Sequence, residues 1–466
     1  MQVLLYFYRT AWVGNPHGAM SMKAKRLDHK KQTMKEGVVH YQTRSRLFSV
    51  VVASQVLLVP RLALATDGYF SSGYGMIENG RGGASIATAD DAMGGANNPA
   101  SMAFVPAWLD LGLSAFMPDR AAERSGNAFG LNGSANSGAL VFPIPEFGYN
   151  RPLGDRWAVG LTVYGNGGMN TTYPGGQIPA GHCGPGAPAS NLLCGSGTLG
   201  VDLTQLIIAP TLAYKITPQL AVGISPQIAI AHFAGQGLQA FGGVSSDPAN
   251  LTNTGYSNSV GAGVKFGAQW QALPTVSLGV TYTTRTTMGA LSGYQGLFAG
   301  GGNFDIPPSA GIGVAWWITP SLRLALDDEG IFYSDIKSVS NSSTALAPLG
   351  SSNGRGFGWS NINVVRIGFD YQAMPELTLR AGYNHSGNPV SARDVTFNIL
   401  APGVITDQVS AGFTYQITPA TSLTFAYSHA FNNSVTGPTN PLIPGGGTDS
   451  IRLMENQVGF ALEIKL

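Results

Sequence analysis

Charge is scarce in this 466-residue chain: 11% of its residues are Asp, Glu, Lys or Arg, and the net charge is +1. A soluble domain carries about a quarter charged residues, and nucleic-acid binders and disordered tails carry more charge still. Both of those classes are excluded, and the deficit itself asks for an explanation. Cysteine is almost absent, with two residues, so a multi-disulfide scaffold is excluded too. Long apolar runs are also missing. Outside one N-terminal segment no stretch approaches the roughly 18 apolar residues that a membrane-spanning helix needs. What is present is a 44% hydrophobic chain with 63 Gly and 28 Pro.

The one apolar segment, LFSVVVASQVLLVPRLALA from Leu47 to Ala65, follows Arg44 and Arg46 and ends in Ala63-Leu64-Ala65. A positive flank, a short apolar region and an A-x-A ending describe a secretory signal peptide cleaved after Ala65. Arg61 interrupts the apolar region, and the rival reading is a membrane anchor, for which the uninterrupted core is short. Residues 1–33 have no place in a signal peptide. Residues 1–65 are therefore expected to be a signal peptide, starting at Met34, behind a mis-called extension, and the mature chain to begin at Thr66. Export gives the cysteines a role. Cys183 and Cys194, in GHCGPGAPASNLLC, are expected to form a disulfide in an oxidising compartment, worth at most about 3 kcal/mol. A metal site using His182 is the alternative, but no fourth ligand has recognisable spacing.

Period-two alternation dominates the rest. From Val409 to Ile417 the odd positions are Val, Ala, Phe, Tyr and Ile, and the even positions from Gln408 to Gln416 are Gln, Ser, Gly, Thr and Gln. The same pattern recurs at Leu220–Ile230, Val276–Tyr282, Leu322–Leu326 and Val458–Leu466. A soluble sandwich also alternates, but its polar face is usually rich in Lys and Glu. Here the second face is Gly, Ala, Ser, Thr and Gln, which suits a transmembrane barrel with large apolar residues toward lipid and small or polar ones toward the lumen. One turn is written repeatedly: AYKITPQLAVGI, WQALPTVSLGV, WWITPSLRLAL, YQAMPELTLRAGY and YQITPATSLTFAY. Aromatic residues flank these turns as they would at a membrane interface. Short turns near Pro152, Pro218, Pro274, Pro320, Pro375 and Pro419 alternate with seven longer connections, near 118–136, 171–200, 233–256, 289–304, 334–360, 387–405 and 432–450. Six plus seven connections predict an all-β fold, a 14-stranded antiparallel transmembrane β-barrel over residues 107–466.

Residues 66–106 show no alternation. Their order of FSSGYG, GRGGAS, ADDA and NPA closely resembles the N-terminal hatch of the FadL family of outer-membrane transporters. PEFGYN from Pro145, IPPSAGIGVAW from Ile306 and LRAGYNHSGNPV from Leu379 resemble its strand motifs, so the likeness spans the mature chain. It implies a hatch (plug) inside the lumen, a monomer in the outer membrane of a Gram-negative bacterium, and passive uptake of long-chain fatty acids or, in a related branch, aromatic hydrocarbons, with no cofactor.

The resemblance also implies positions. Asn98, Pro99 and Ala100 match the hatch segment near a lateral opening, and Gly165, Gly167 and Gly168 would form the third-strand kink at that opening. A plain end of the strand is the alternative. An apolar groove between the third and fourth outer loops would use Phe233, Leu238, Phe241, Leu291, Tyr294, Leu297 and Phe298. Packing of the loops on each other would use the same side chains. By alternation Lys265, Arg285, Arg323, Asp327, Arg380 and Glu463 point inward. Arg285, Arg323 and Arg380 are the candidates for a ligand carboxylate, and the run Asp327-Asp328-Glu329 could partner them instead. A general porin would want more inward charge and no hatch. A hydrolase would need a nucleophile and a base side by side, whereas His232, His385 and His429 are isolated; no catalytic residue, resident metal or nucleic-acid partner is expected. N-terminal mass spectrometry of the protein taken from outer membranes is expected to find Thr66 first; an intact Leu47–Ala65 segment would contradict the cleavage.

Overall fold

A computed structural model describes residues 67–466, so the expected signal peptide lies outside the described residues. Fourteen strands form the wall. They are β1 (Trp108–Ser125), β2 (Phe142–Leu153), β3 (Trp157–Asn170), β4 (Gly200–Lys215) and β5 (Leu220–Gln236); then β6 (Ser257–Leu273), β7 (Val276–Thr283), β8 (Ser309–Thr319), β9 (Leu322–Ile331) and β10 (Ile362–Met374); and β11 (Leu377–Ser386), β12 (Asp407–Thr418), β13 (Thr421–Pro438) and β14 (Thr448–Lys465). Neighbours in sequence pair antiparallel, and β1 pairs with β14 from Trp108↔Lys465 to Ser125↔Thr448, which closes the barrel. Closure leaves no free edge along that seam.

The two faces follow the alternation. Val280, Tyr282, Ile312, Phe460 and Leu462 are exposed on the outside, while Thr281, Gln269, Ser225 and Ala461 are buried within. The repeated turn has a structural reason at the rim. The N–H of Lys215 donates to Arg156 O, Gln271 to Gln219, Trp317 to Thr275, Gln372 to Ser321, Gln416 to Glu376 and Lys465 to Ala420, each at 2.8 Å. The residue that ends one hairpin's outgoing strand thus bonds the carbonyl of the turn before it, so six similar turns lock into one ring. Trp157 packs on Tyr214 with ring centroids 4.4 Å apart, and Trp270, Trp316 and Tyr415 are exposed on the same rim.

Two of the long connections are shorter than expected. β1 continues to Ser125, β13 runs to Pro438 and β14 starts at Thr448, so the connections span only 126–141 and 439–447. The strand ends carry Asp119, Arg120, Glu123 and Arg124, whose charge reads as loop in the sequence. In the structure Arg124 donates its Nε to Asp449 at 2.7 Å, and Arg452 pairs with Asp119. Between β3 and β4, Cys183 and Cys194 are joined by a disulfide, which removes both thiolates that a metal site there would need.

Residues 67–106 pack inside the barrel. Met76, Ile86, Met93, Ala100 and Met102 are buried, and Asp327 of β9 accepts the backbone N–H groups of Ser85 and Ile86. Placing Lys at Val280, which is half exposed on the outer face, is expected to cost about 2 kcal/mol, against under about 1 kcal/mol for Leu. Denaturant titration in detergent or vesicles checks this, and equal costs would mean that the face does not meet lipid.

Candidate functional site

Along most of the wall each strand bonds both neighbours, but β2 and β3 part company. β2 pairs with β3 only from Phe147↔Val163 to Leu153↔Trp157, while its first half, Phe142 to Pro145, pairs with β1 alone. The outer half of β3, Tyr164 to Asn170, pairs with β4 alone, with a register shift between Gly165 and Gly167. Sequence chemistry accounts for the separation. Pro143 and Pro145 have no N–H to offer a neighbour, and the glycines permit the bulge. Gly167 has φ 155°, a region closed to most side chains, and a Cβ there would collide with Tyr69 O.

The lumen segment covers part of the freed backbone. Phe70 bridges Gly167, the Gly168 N–H donates to Tyr69 O at 3.1 Å and the Ser71 N–H donates to Asn166 O at 3.2 Å. Behind the separation lies a cavity of about 500 Å³. Its wall takes in Ser71 and Gln205 on the lumen side, and also Ile144, Leu206 and Ile230, which alternate toward the outer face. The cavity therefore runs from the lumen to the outside of the barrel through the wall.

The sequence placed Asn98, Pro99 and Ala100 beside this opening, but they are elsewhere. Asn98 caps the short 3-10 helix Pro99–Ala103 by accepting the Ala100 N–H at 3.0 Å, and its amide donates to Ile86 O and Ala268 O. Gly223 and Gly267 of β5 and β6 have no side chain where this motif packs, and a Cβ on either would strike it. The motif anchors the lumen segment to the wall, and the residues at the opening are Tyr69, Phe70, Ser71 and Ser72. Their signal was the FSSG stretch, legible only as part of a likeness.

The three candidate arginines are all engaged. Arg323 bonds Asp90 of the lumen segment at 2.7 Å and Asp370 of β10 at 2.8 Å; Arg380 bonds Asp370 at 2.8 Å and Thr414 at 2.6 Å. Arg81 joins them, reaching Asp90 at 2.7 Å, Asp370 at 3.2 Å and Glu78 at 3.2 Å. Burial alone would raise the Asp90 carboxyl, but Arg323 and Arg81 outweigh it and hold it well below its ordinary value. A depressed carboxylate stabilises the fold above its unfolded pKa and stops doing so as pH falls through the folded one, so this clamp is fully charged at neutral pH. Arg285 sits at the outer rim, half exposed, paired with Asp305 and donating to Asp335 O at 3.2 Å. None of the three lines the wall cavity. Sequence reasoning missed Arg366, which ties Asp67 at 2.6 Å to Glu329 at 2.7 Å; alternation along INVVRIGFDYQAM was its available signal.

The outer-loop residues pack on one another. Phe233, Leu238, Phe241, Leu291, Tyr294 and Phe298 are all buried, with Phe233 edge-on to both Tyr294 and Phe298 at 4.7 Å between centroids. Leu297 is half buried beside them. They make a small apolar cavity under the loops rather than an open groove.

The family model of the outer membrane protein transport protein family (OMPP1/FadL/TodX) matches residues 71–450. The chain belongs to this family. It is a family of outer-membrane transport proteins, which places the FadL-type barrel described here in the outer membrane and its function in transport. A search of curated proteins returns no sequence match. Among solved structures, the barrel is similar to the Pseudomonas putida toluene transporter TodX (TM-score 0.64, 18% identity, 85% of this chain and 99% of that one) and to a Pseudomonas aeruginosa FadL homologue (0.62, 16%, 85% and 99%). It is also similar to the Ralstonia pickettii toluene transporter TbuX (0.58, 17%, 85% and 99%). At these identities the likeness is one of fold.

Asp370→Asn is expected to cost about 3 kcal/mol, because it weakens the compensation of three buried arginines at once. Thermal unfolding, together with trypsin sensitivity within residues 67–106, checks this; an unchanged melting temperature would mean that the clamp does not hold the lumen segment.

Proposed function

We propose that this FadL-family protein is a monomeric passive channel for hydrophobic small molecules, which enter past the outer loops, occupy the wall cavity and leave sideways into the membrane between β2 and β3. One observation carries the reading. The outer halves of β2 and β3 fail to pair, and this separation opens onto a cavity of about 500 Å³, within the range of sites for ligands larger than a single small ring. A sideways exit spares an apolar molecule from crossing water, whose cost grows by about 25 cal/mol for each Å² of apolar surface exposed. In this reading residues 67–106 act as the hatch, since Tyr69 to Ser71 both line the cavity and bond the free edge of β3.

Long-chain fatty acids are the first substrate class, on the strength of cavity size and family. Aromatic hydrocarbons are the second, favoured by two observations. The cavity wall includes no Lys or Arg, and two similar structures are described as toluene transporters.

A reversible staple tests the exit. An added Cβ at Gly165 would come within 3.0 Å of the Ile144 side chain, so Ile144→Cys with Gly165→Cys, in a background with Cys183→Ser and Cys194→Ser, should form a disulfide across the opening. Uptake of labelled oleate or toluene by cells lacking other such channels is expected to fall to background when the pair is oxidised and to return on reduction. Undiminished uptake with the staple closed would reject the lateral route; recovery of toluene uptake alone would select the second substrate class.

A further inference from the structure

Four acids outside the arginine clamp meet at one place inside the barrel. Asp91 of the lumen segment, Asp110 of β1, Glu146 of β2 and Glu463 of β14 surround a cavity of about 10 Å³, together with Gly75, Met76 and Met93. Each is at most 9% exposed, and among the described residues none of the four forms an ion pair. Asp110 stands directly opposite Glu463 in the pairing of β1 with β14, and Glu78 lies within hydrogen-bonding reach of Asp91. The nearest cations are engaged elsewhere. Arg81 is shared by Glu78, Asp90 and Asp370, Arg323 of β9 by Asp90 and Asp370, and Arg380 of β11 bonds Asp370. Lys265 of β6 donates to Ala96 O and Asn97 O. The other packed strands bring neutral groups: Thr424 of β13 donates to Glu463, Ser410 of β12 accepts from Gly82, Thr162 of β3 and Thr211 of β4 face Gly95, and Tyr164 of β3 packs on Tyr74.

Two of these acids hold the lumen segment to the wall. Asp110 accepts the Ala92 N–H at 2.6 Å and Glu146 accepts the Gly75 N–H at 3.3 Å, while Asp91 accepts the Met93 N–H of its own turn at 2.8 Å. The second oxygens, Oδ1 of Asp110 and Oε2 of Glu78, are buried with no donor. A carboxyl in such a place needs a cation, a metal or a proton. The cations are engaged, and among the described residues no three acidic, His or Cys side chains are set to ligate a metal. Protons remain, and two carboxyls within hydrogen-bonding reach, as Glu78 and Asp91 are, need one between them. Burial pushes Glu78 and Asp91 well above the ordinary carboxylate range, and Asp91 adds to it for Glu78 as Asp110 does for Asp91.

We propose that Glu78, Asp91, Asp110, Glu146 and Glu463 form a proton-held latch: protons bound among them seat residues 75–93 against β1, β2 and β14, and their loss as pH rises drives the segment off the wall. The latch adjoins the opening. Glu146 stands between Pro145 and Phe147, where pairing of β2 with β3 begins, and Gly75 is three residues from Ser72 in the wall of the cavity. A segment pushed away from Asp110 and Glu146 loosens the Tyr69 to Ser71 backbone that completes β3, and the passage widens. This rests on the transport reading above and adds control to it. A carboxyl raised in the folded state stabilises that state fully below its unfolded value, about 4, and stops doing so as pH rises through the folded value. Alkali therefore loosens the acid side of the segment, while the arginine clamp on its other side stays charged.

Hydrogen exchange at pH 5, 7 and 9, expressed as protection relative to the intrinsic rate at each pH, tests the latch in purified wild type, Asp91→Asn and Asp110→Asn. Each amide keeps an acceptor for the Met93 or Ala92 N–H and cannot ionise. In wild type the protection of residues 75–93 is expected to fall at least about tenfold from pH 5 to pH 9, the effect of one proton lost over one pH unit, while the wall strands keep theirs. The amide variants are expected to lose most of that dependence; should both fail to fold, Glu463→Gln on β14 decides. Protection that is flat with pH in wild type, a fall shared equally by the wall strands, or the same fall in the variants would overturn the latch. Uptake of toluene and methyl oleate, neither of which titrates, by cells at pH 6 and pH 8 separates the two readings. Faster wild-type uptake at pH 8 with the variants level supports both. Uptake of neither ligand alongside pH-dependent protection would keep the latch and overturn transport, whereas uptake alongside flat protection would keep transport and overturn the latch.

Discussion

A strand in lipid has no water to bond, so every backbone N–H and C=O must find its partner within the wall. That constraint forces closure of β1 on β14, and it makes the six short turns alike, because each contributes a carbonyl to the same ring of rim hydrogen bonds. It also makes the separation of β2 from β3 informative. Where β2 and β3 separate, the unmet groups do not face lipid unaided: two prolines remove donors from β2, and the Tyr69 to Ser71 backbone satisfies part of β3. An opening in a barrel wall is tolerable only where something inside the barrel completes it.

The lumen segment is therefore as much a part of the wall as a filler of it. Two different kinds of force hold it. On one side Arg81, Arg323 and Arg380 converge on Asp90 and Asp370, a network in which no charge is left alone. On the other, the Asn98-Pro99-Ala100 turn fits against strands whose glycines leave room for it. The first is electrostatic and long in reach, the second steric and exact in register. Between them they leave the start of the segment, at Tyr69 to Ser72, as the part that meets the cavity.

Much of this was legible in the residue order. Alternation, turn chemistry and the scarcity of charge yield the barrel, the strand number and the outward face, because each depends on local spacing that lipid makes obligatory. Gly165, Gly167 and Gly168 were also readable as a weak point in β3. Legibility failed where partners come from distant strands. Arg323 and Arg380 look like free lumen cations in a strand pattern, and only the fold brings Asp90 and Asp370 against them. Phe233, Tyr294 and Phe298 look like an exposed groove, and only the convergence of the loops buries them.

The sequence by itself determined that this chain is a fourteen-stranded barrel with an unalternating segment before it, since period two and repeated turns are properties of neighbours along the chain. Tertiary structure alone decided which lumen residues complete the opening, which arginines tie the lumen segment to the wall and which acids stand unpaired, because the pairing of a charge or a strand edge depends on residues hundreds of positions away. Asp91, Asp110, Glu146 and Glu463 carry no mark in the sequence that separates them from Asp90 and Asp370. They differ from those acids only in what the fold fails to place beside them.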